Sequence, residues 1–279
     1  MSRMGDEMSD LHDGKVYKGE LLDLLHRVDA VFSQNDIRYT AVYGTCLGAM
    51  REHGIIPWDD DVDIAVWRVD FQRAIQVLNE SNAQIFAGDR KTIPGCPGRC
   101  GRIFNRVTKD TRIERRRAYL DLHVIDYAPK SKLGFLWNVL WYVGISRIVE
   151  HRLKVASNNH KLLYALADIL AFPFRVCSSD VLSDFADWIY CSSKPSSFIK
   201  ITFDGNRKRY KAIDFAEVKK VQFDSVEISV PVGYDNYLTK CYGDWRTPPP
   251  MGDRMSHAYD QSGTRWTVPC PVDEDRPLR

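Results

Sequence analysis

Between Lys18 and Phe32 the apolar residues Leu21, Leu24, Leu25, Val28, Val31 and Phe32 recur every three or four positions, the spacing of one helical stripe. Ahead of them, residues 1–15 carry no such stripe and read as a disordered lead, without the apolar core of a secretory signal. After the polar turn "SQND", the β-branched and aromatic run "IRYTAVY" predicts a strand that runs into Gly44. A short helix from about Thr45 to Glu52 follows, then a loop through Gly54 and Pro57, then a second strand that opens on "DDDVDIAV". Phe71, Ala74, Ile75 and Leu78 share a face, so residues 69–80 read as a helix packed on those strands. The Gly-, Pro- and Arg-rich stretch "KTIPGCPGRCGRIFNRVTKD" is a mobile loop or irregular hairpin. "AYLDLHVIDYAP", stopped by Pro129, is a third strand.

Helical periodicity dominates residues 130–192, and "FIKITFDGNRKRYKAIDF" then reads as a hairpin turning at Asp204, Gly205 and Asn206. "VQFDSVEISVPV" adds further strand. These patterns predict an α/β (α+β) fold: a mixed sheet flanked by helices, with residues 16–129 as a core, 130–192 as a helical insertion or subdomain, and 193–279 completing the core's domain.

The totals narrow the function. At 279 residues and 44% apolar content the chain can close a sizeable core. Lysine and arginine number 39 against 37 acidic residues, a net charge of +2, so bulk electrostatics do not point to nucleic acid. Seven irregularly spaced cysteines suit reduced thiols in a cytoplasmic protein, and Cys96 and Cys100 are the only close pair. Residues 133–149, "LGFLWNVLWYVGISRIV", are either a buried helix or one lying in a membrane interface, since Trp137, Trp141 and Tyr142 are flanked by Lys130, Lys132, Arg147 and Arg152.

An acidic run is ordinarily a solvated face, but this one leads into Ile64, Ala65 and Val66. Strand alternation turns Asp61 and Asp63 to one side and Val62 and Ile64 to the core. Two such carboxylates stay ionised only beside a positive charge, and hard cations such as Mg²⁺ accept oxygen ligands from carboxylate and phosphate. In the third strand Asp121 and His123 share a face, which makes Asp121 the natural third carboxylate. Asp126 falls on the apolar side, as a capping or a site residue. Gly44 and Thr45, between a strand and a helix N-terminus, suit the approach of a phosphate.

The order "YGT", short helix, "DVDI" and a later acidic strand resembles the nucleotidyltransferase superfamily. "YGTCLGAMREHGIIPWDDDVDIAV", "YLDLHVIDYAP" and "VPVGYDNYLTKCYGDWRTPPP" resemble the three blocks of the LicD family of phosphotransferases, which includes fukutin and fukutin-related protein. Cys46 and His123 depart from the residues usual there. The resemblance implies a nucleotidyltransferase-like catalytic core in which Asp61, Asp63 and Asp121 are both catalytic and metal-binding, holding Mg²⁺ or Mn²⁺. It also implies transfer of a phospho-alcohol, phosphocholine first, from CDP-choline or another CDP-alcohol to a hydroxyl of a cell-surface or lipid-linked glycan, with release of CMP.

Gly44, Thr45, Arg51, Trp58, Arg102, Tyr242, Gly243, Asp244 and His257 are the expected substrate-binding residues. Arg51 is equally readable as a salt bridge at a helix end, and Arg99, Arg102 and Arg106 as a solvated basic loop. Asp59 and Asp60 are either direct participants or outer residues. Trp58, Trp67 and Trp245 stand beside the three blocks, as packing residues or as an enclosure for a quaternary ammonium. The expected location is the cytoplasm, peripheral on the inner face of the membrane. Two other classes use the same acidic run: a true nucleotidyltransferase that releases pyrophosphate, and a calcium-binding or structural loop.

Overall fold

The structure, a computed structural model, describes residues 2–59, 61–93, 100–106, 118–152, 172–191, 194–202 and 208–250. Helix α1 spans Ser2–Gln34, so helix covers most of the stretch expected as a disordered lead. From Leu21 onward its apolar stripe is buried. A left-handed Asp36 (φ 52°) turns the chain, and Ile37 N–H donates to Phe32 C=O as the helix ends.

The next elements are β1 (Tyr39–Ala41), α2 (Tyr43–Arg51), β2 (Asp63–Trp67), α3 (Arg68–Glu80), β3 (Ile85–Asp89), β4 (Gly101–Asn105) and β5 (Tyr119–Ala128). The strand expected over residues 37–43 is cut short because Tyr43 adopts φ 47° and begins α2. The second strand likewise begins at Asp63, so Asp61 lies in the lead-in and not in the strand. Alternation still holds there: Val62 and Ile64 are fully buried while Asp61 and Asp63 are half-buried. Strand β3 was not predicted. It pairs antiparallel with β4 (Phe86 with Phe104), and of these two strands only β4 lies within the stretch read as a mobile loop or irregular hairpin. Residues 94–99, with Cys96 and Arg99, lie outside the described residues. Cys100 is buried in a cluster with Ile93 and Phe104.

The chain divides into two compact units, Met1–Val124 with Asp214–Arg279, and Ile125–Ile213. In the first, the strand order is β1-β2-β5-β4-β3. Antiparallel pairing sets Thr40 against Ala65 and Arg102 against Asp121, and Asp121 N–H donates to Val62 C=O at 3.0 Å. In the second, the end of β5 pairs with β6 (Phe198–Ile201) and β6 with β7 (Tyr210–Lys211), which brings the mixed sheet to seven strands. The boundary therefore groups β6 and β7 with the helical middle, whereas the sequence pattern grouped them with the C-terminal strands. The expected turn at residues 204–206 lies outside the described residues.

The second unit also contains α4 (Lys132–Arg152), a 3₁₀ turn (Phe172–Val176) and α5 (Ser179–Tyr190). Ser178 Oγ caps α5 by accepting from Val181 N–H. Ile145, Ile148 and Leu182 form its core, with Trp141, Phe185 and Ile189 packed on them. Lys200 is buried beneath, its Nζ donating to Asn138 Oδ1 at 2.6 Å. Among the described residues no helix is long and apolar enough to cross a membrane. The first unit closes with a separate hairpin, β8 (Val218–Phe223) and β9 (Val226–Pro231), and helix α6 (Tyr234–Tyr242).

Candidate active site

The site is built where α2, the loop before β2, β2, β5 and α6 with the residues after it supply one residue or more each. Thr45 Oγ1 accepts a hydrogen bond from Asp63 N–H at 2.7 Å, so the hydroxyl expected to meet a phosphate instead ties the start of α2 to the start of β2. A Cβ at Gly44 would lie 2.4 Å from Asp59 Oδ2, so any other residue there would displace that carboxylate. Tyr43, just before Gly44, holds a left-handed backbone that costs a tyrosine about 1–3 kcal/mol. Such strain concentrates at functional sites.

The loop from Glu52 to Asp59 is pinned from the other side. Asp224 sits in the β8–β9 turn at φ 50°; its Oδ2 accepts from Ile55 N–H at 2.8 Å and its N–H donates to His53 C=O at 2.7 Å. Trp58 and Asp59 are thereby presented to a cavity of about 480 Å³. Asp59, Asp61 and Asp63 line that cavity together with Tyr43, Gly44, Trp58, Tyr242, Asp244 and Trp245. Blocks that are far apart in sequence thus share one wall.

The electrostatics are those of crowded like charges. Burial pushes the Asp61 carboxyl well above the usual carboxylate range, and Asp63, Asp59 and Asp121 push it further, with a hydrogen bond that the protonated carboxyl gives to Asp59 acting in the same direction. Asp121 is also raised, by burial foremost; His123 opposes that rise, Asp63 adds to it, and Arg102 counters it with its charge and a hydrogen bond. Arg102 Nε stands 3.2 Å from Asp121 Oδ1, and its guanidinium lies 4.8 Å from the Tyr119 ring centroid. His123 Nε2 stands 2.8 Å from Asp63 Oδ1.

Among the described residues no group of three or more His, Cys, Asp or Glu side chains is placed to hold a metal ion. The donor chemistry nevertheless fits a hard divalent cation: the carboxyls of Asp61, Asp63 and Asp121 are mutually repelling oxygen donors, and Asp61 and Asp63 open onto the cavity.

The repulsion predicts a gain in stability on its removal. With its folded value raised, the Asp61 carboxyl binds protons more tightly folded than unfolded, so its contribution to stability falls as pH rises above about 4. Asp61→Asn is expected to raise the melting temperature of the metal-free protein at pH 8 by about 2–4 °C for each ~1 kcal/mol relieved. By calorimetry, that gain should vanish below about pH 4.

The remaining expected residues distribute as follows. Arg51 donates from Nε to Glu52 Oε1 at 2.7 Å and from Nη1 to Trp245 C=O at 3.2 Å, and lies 5.9 Å from the Trp58 ring centroid. It lines the cavity while bracing its aromatic wall. Arg102 is placed against Asp121 rather than on the cavity wall, and Arg106 is exposed beyond β4. Gly243 ends α6 at φ 75°, and the exposed Asp244 accepts from Thr247 Oγ1, which lowers its carboxyl below the usual range. Trp245 is buried, its Nε1 donating to Asp235 at 3.1 Å, whereas Trp67 lies apart from the cavity lining. Asp60 and His257 lie outside the described residues. Asp126 is buried in the second unit, directly opposite Lys200 in the β5–β6 register.

The sequence reading left Asp59 undecided and missed Tyr237. The signal for Asp59 was its neighbour at Gly44, since an apolar or bulky residue there would have excluded a carboxylate. Tyr237 gave no signal, because on α6 it reads as one more apolar contact.

Residues 36–135 match the family described as LicD/FKTN/FKRP, nucleotidyltransferase domain. The lipopolysaccharide cholinephosphotransferase LicD of Haemophilus influenzae is 24% identical over 261 residues, covering 85% of this chain and 92% of that protein. An uncharacterised protein of Rickettsia typhi is 34% identical over 87 residues, 30% of this chain and 28% of its own length. One of Rickettsia prowazekii is 40% identical over 58 residues, 21% of this chain and 22% of its own. The matched span contains Gly44, Asp61, Asp63 and Asp121: residues 36–135 are a LicD/FKTN/FKRP nucleotidyltransferase domain, and the chain is a distant homologue of LicD cholinephosphotransferase over most of its length.

Proposed function

We propose that this protein transfers phosphocholine from CDP-choline to a hydroxyl of a glycan, releasing CMP. The observation that carries this reading is the shared cavity, lined both by the carboxylates Asp59, Asp61 and Asp63 and by the aromatic residues Trp58, Tyr242 and Trp245. Homology to the Haemophilus cholinephosphotransferase supports the choice of alcohol. In this reading Asp61, Asp63 and Asp121 hold Mg²⁺ or Mn²⁺. The bound ion supplies positive charge to the diphosphate and the departing CMP.

The chain's own groups do the rest. The N-terminal turn of α2 at Gly44 adds favourable dipole for phosphate. Trp58, Tyr242 and Trp245 would enclose a quaternary ammonium through their ring faces, worth about 0.5–2 kcal/mol each. Thr45 and His123 keep Asp63 in place. The acceptor oxygen bonds to the choline-side phosphorus, the bond from that phosphorus to the CMP oxygen breaks, and the hydroxyl proton leaves to solvent.

A glycan carried on lipid would be met at the cytoplasmic face of a membrane. The exposure of Leu133, Leu136 and Trp137 on α4 supports peripheral contact there, and flotation with liposomes tests it.

A Mg²⁺-containing panel of CDP-choline, CDP-glycerol, CDP-ribitol and CTP tests the proposal. CMP should appear first from CDP-choline, and Trp58→Ala should raise its KM by about tenfold while changing that for CDP-glycerol less. Pyrophosphate from CTP, with no CMP from any CDP-alcohol, would establish the nucleotidyltransferase reading in its place.

A further inference from the structure

Asp63 is held from behind by contacts that begin on α6. Tyr237 is fully buried, and its hydroxyl oxygen accepts a hydrogen bond from Tyr43 N–H at 2.8 Å. That bond holds the residue whose backbone is left-handed, at φ 47°. The Tyr43 ring meets the His123 ring edge-on, 5.3 Å between centroids and 81° between planes. His123, 1% exposed, carries the path to its end, since its Nε2 lies 2.8 Å from Asp63 Oδ1. Tyr237 and His123 are both absent from the cavity lining, so neither is placed to touch a substrate there.

We propose that Tyr237 and His123 are positioning residues that set the Asp63 carboxylate for cation binding, with Tyr43 as the link between them. The inference rests on the reading of Asp63 as a metal-binding carboxylate. A ligating carboxylate is directed by the hydrogen bonds it makes outside the metal, and their loss typically weakens metal binding about 10- to 100-fold. His123 supplies such a bond to one Asp63 oxygen. Its own ring is packed by Tyr43, whose left-handed backbone is uncommon for a bulky residue and whose N–H donates to the Tyr237 hydroxyl. Phenylalanine at 237 removes the oxygen while keeping the edge-on contact with Phe215, at 5.0 Å between centroids.

The test is Mn²⁺ titration of the full chain, with free Mn²⁺ followed by electron paramagnetic resonance and folding checked by calorimetry. Tyr237→Phe and His123→Phe should each weaken Mn²⁺ binding by about tenfold or more. Because both act through one path, the double variant should be no more than about twofold weaker than the weaker single variant. His123→Gln, whose side-chain amide reaches about as far as Nε2, should recover most of the affinity. Unchanged Mn²⁺ affinity in Tyr237→Phe, additive losses in the double variant, or no Mn²⁺ binding by the unmodified chain would each overturn the proposal. CMP release is scored separately. The expected Mn²⁺ pattern in a chain that releases no CMP from any CDP-alcohol would remove the transferase reading and leave the positioning role standing.

Discussion

Asp63→Asn is expected to reduce Mg²⁺-dependent CMP release by roughly 10²–10³-fold, the loss typical when one preorganised electrostatic group is removed from a reacting phosphate or acyl centre. The fold should survive. Asp63 N–H bonds to Thr45 Oγ1 at 2.7 Å through the backbone, which the substitution leaves in place. Asparagine matches aspartate in shape, and its amide oxygen still accepts from His123, provided that ring donates from Nε2. The charge is what disappears, so the expected signature is lost turnover with a melting temperature equal to or above the unmodified chain's. A structural or calcium-binding acidic loop predicts otherwise, since it has no turnover to lose and its substitution should change stability or calcium affinity.

Gly48→Ala is expected to damage the fold. A Cβ at Gly48 would lie 2.4 Å from Gly54 C=O and 3.2 Å from Ile56 Cγ1, so the backbone of the neighbouring loop must move. Overpacking of this kind costs about 1–3 kcal/mol and more when backbone resists. For a chain of this size the melting temperature should fall by about 2–4 °C per kcal/mol. The same displacement shifts Trp58 and Asp59, which the Asp224 turn otherwise holds at the cavity. Activity at a temperature where the variant is still folded should therefore drop as well, with KM for CDP-choline rising. Denaturation curves beside initial rates measure both effects.

Which parts of the molecule were readable in advance follows from the range of the forces involved. Helices α1 and α3 were legible because burial of one face imposes a period that survives in the sequence, Leu21 to Phe32 and Phe71 to Leu78, and strand β5 because its apolar run from Tyr119 to Ala128 is mostly buried and ends at Pro129. Strand β3 was not. It is five residues long, lies at the end of the strand order and includes Gly88, whose Cβ position is filled by Thr92 Oγ1 at 2.3 Å. No periodicity announces so short a strand. The early end of β1 was equally hidden, because it comes with the left-handed turn at Tyr43, whose N–H donates to the hydroxyl of the distant Tyr237.

The site divides in the same way. Gly44, Asp61, Asp63 and Asp121 belong to short motifs whose chemistry is local, so residue type and spacing were enough to select them. Where Arg102 would point was not readable without the β4–β5 register, which sets it opposite Asp121 and turns a presumed phosphate ligand into the partner of a carboxylate. Arg51 is different in part: its salt bridge to the adjacent Glu52 is local, as expected at the helix end, while its contact with Trp245 C=O depends on the segment after α6 arriving beside α2. Tyr237 needed the whole first unit to be folded before its hydroxyl had a meaning.

Crystals of the protein soaked with CDP-choline and Mn²⁺, measured at a wavelength where manganese scatters anomalously, test the central claim most directly. The account predicts an anomalous peak within coordination distance of carboxylate oxygens from Asp61 and Asp63, with Asp121 beside them and the donor's diphosphate on the same ion. Manganese bound elsewhere, or a diphosphate held in the cavity with no ion between it and these carboxylates, would contradict it.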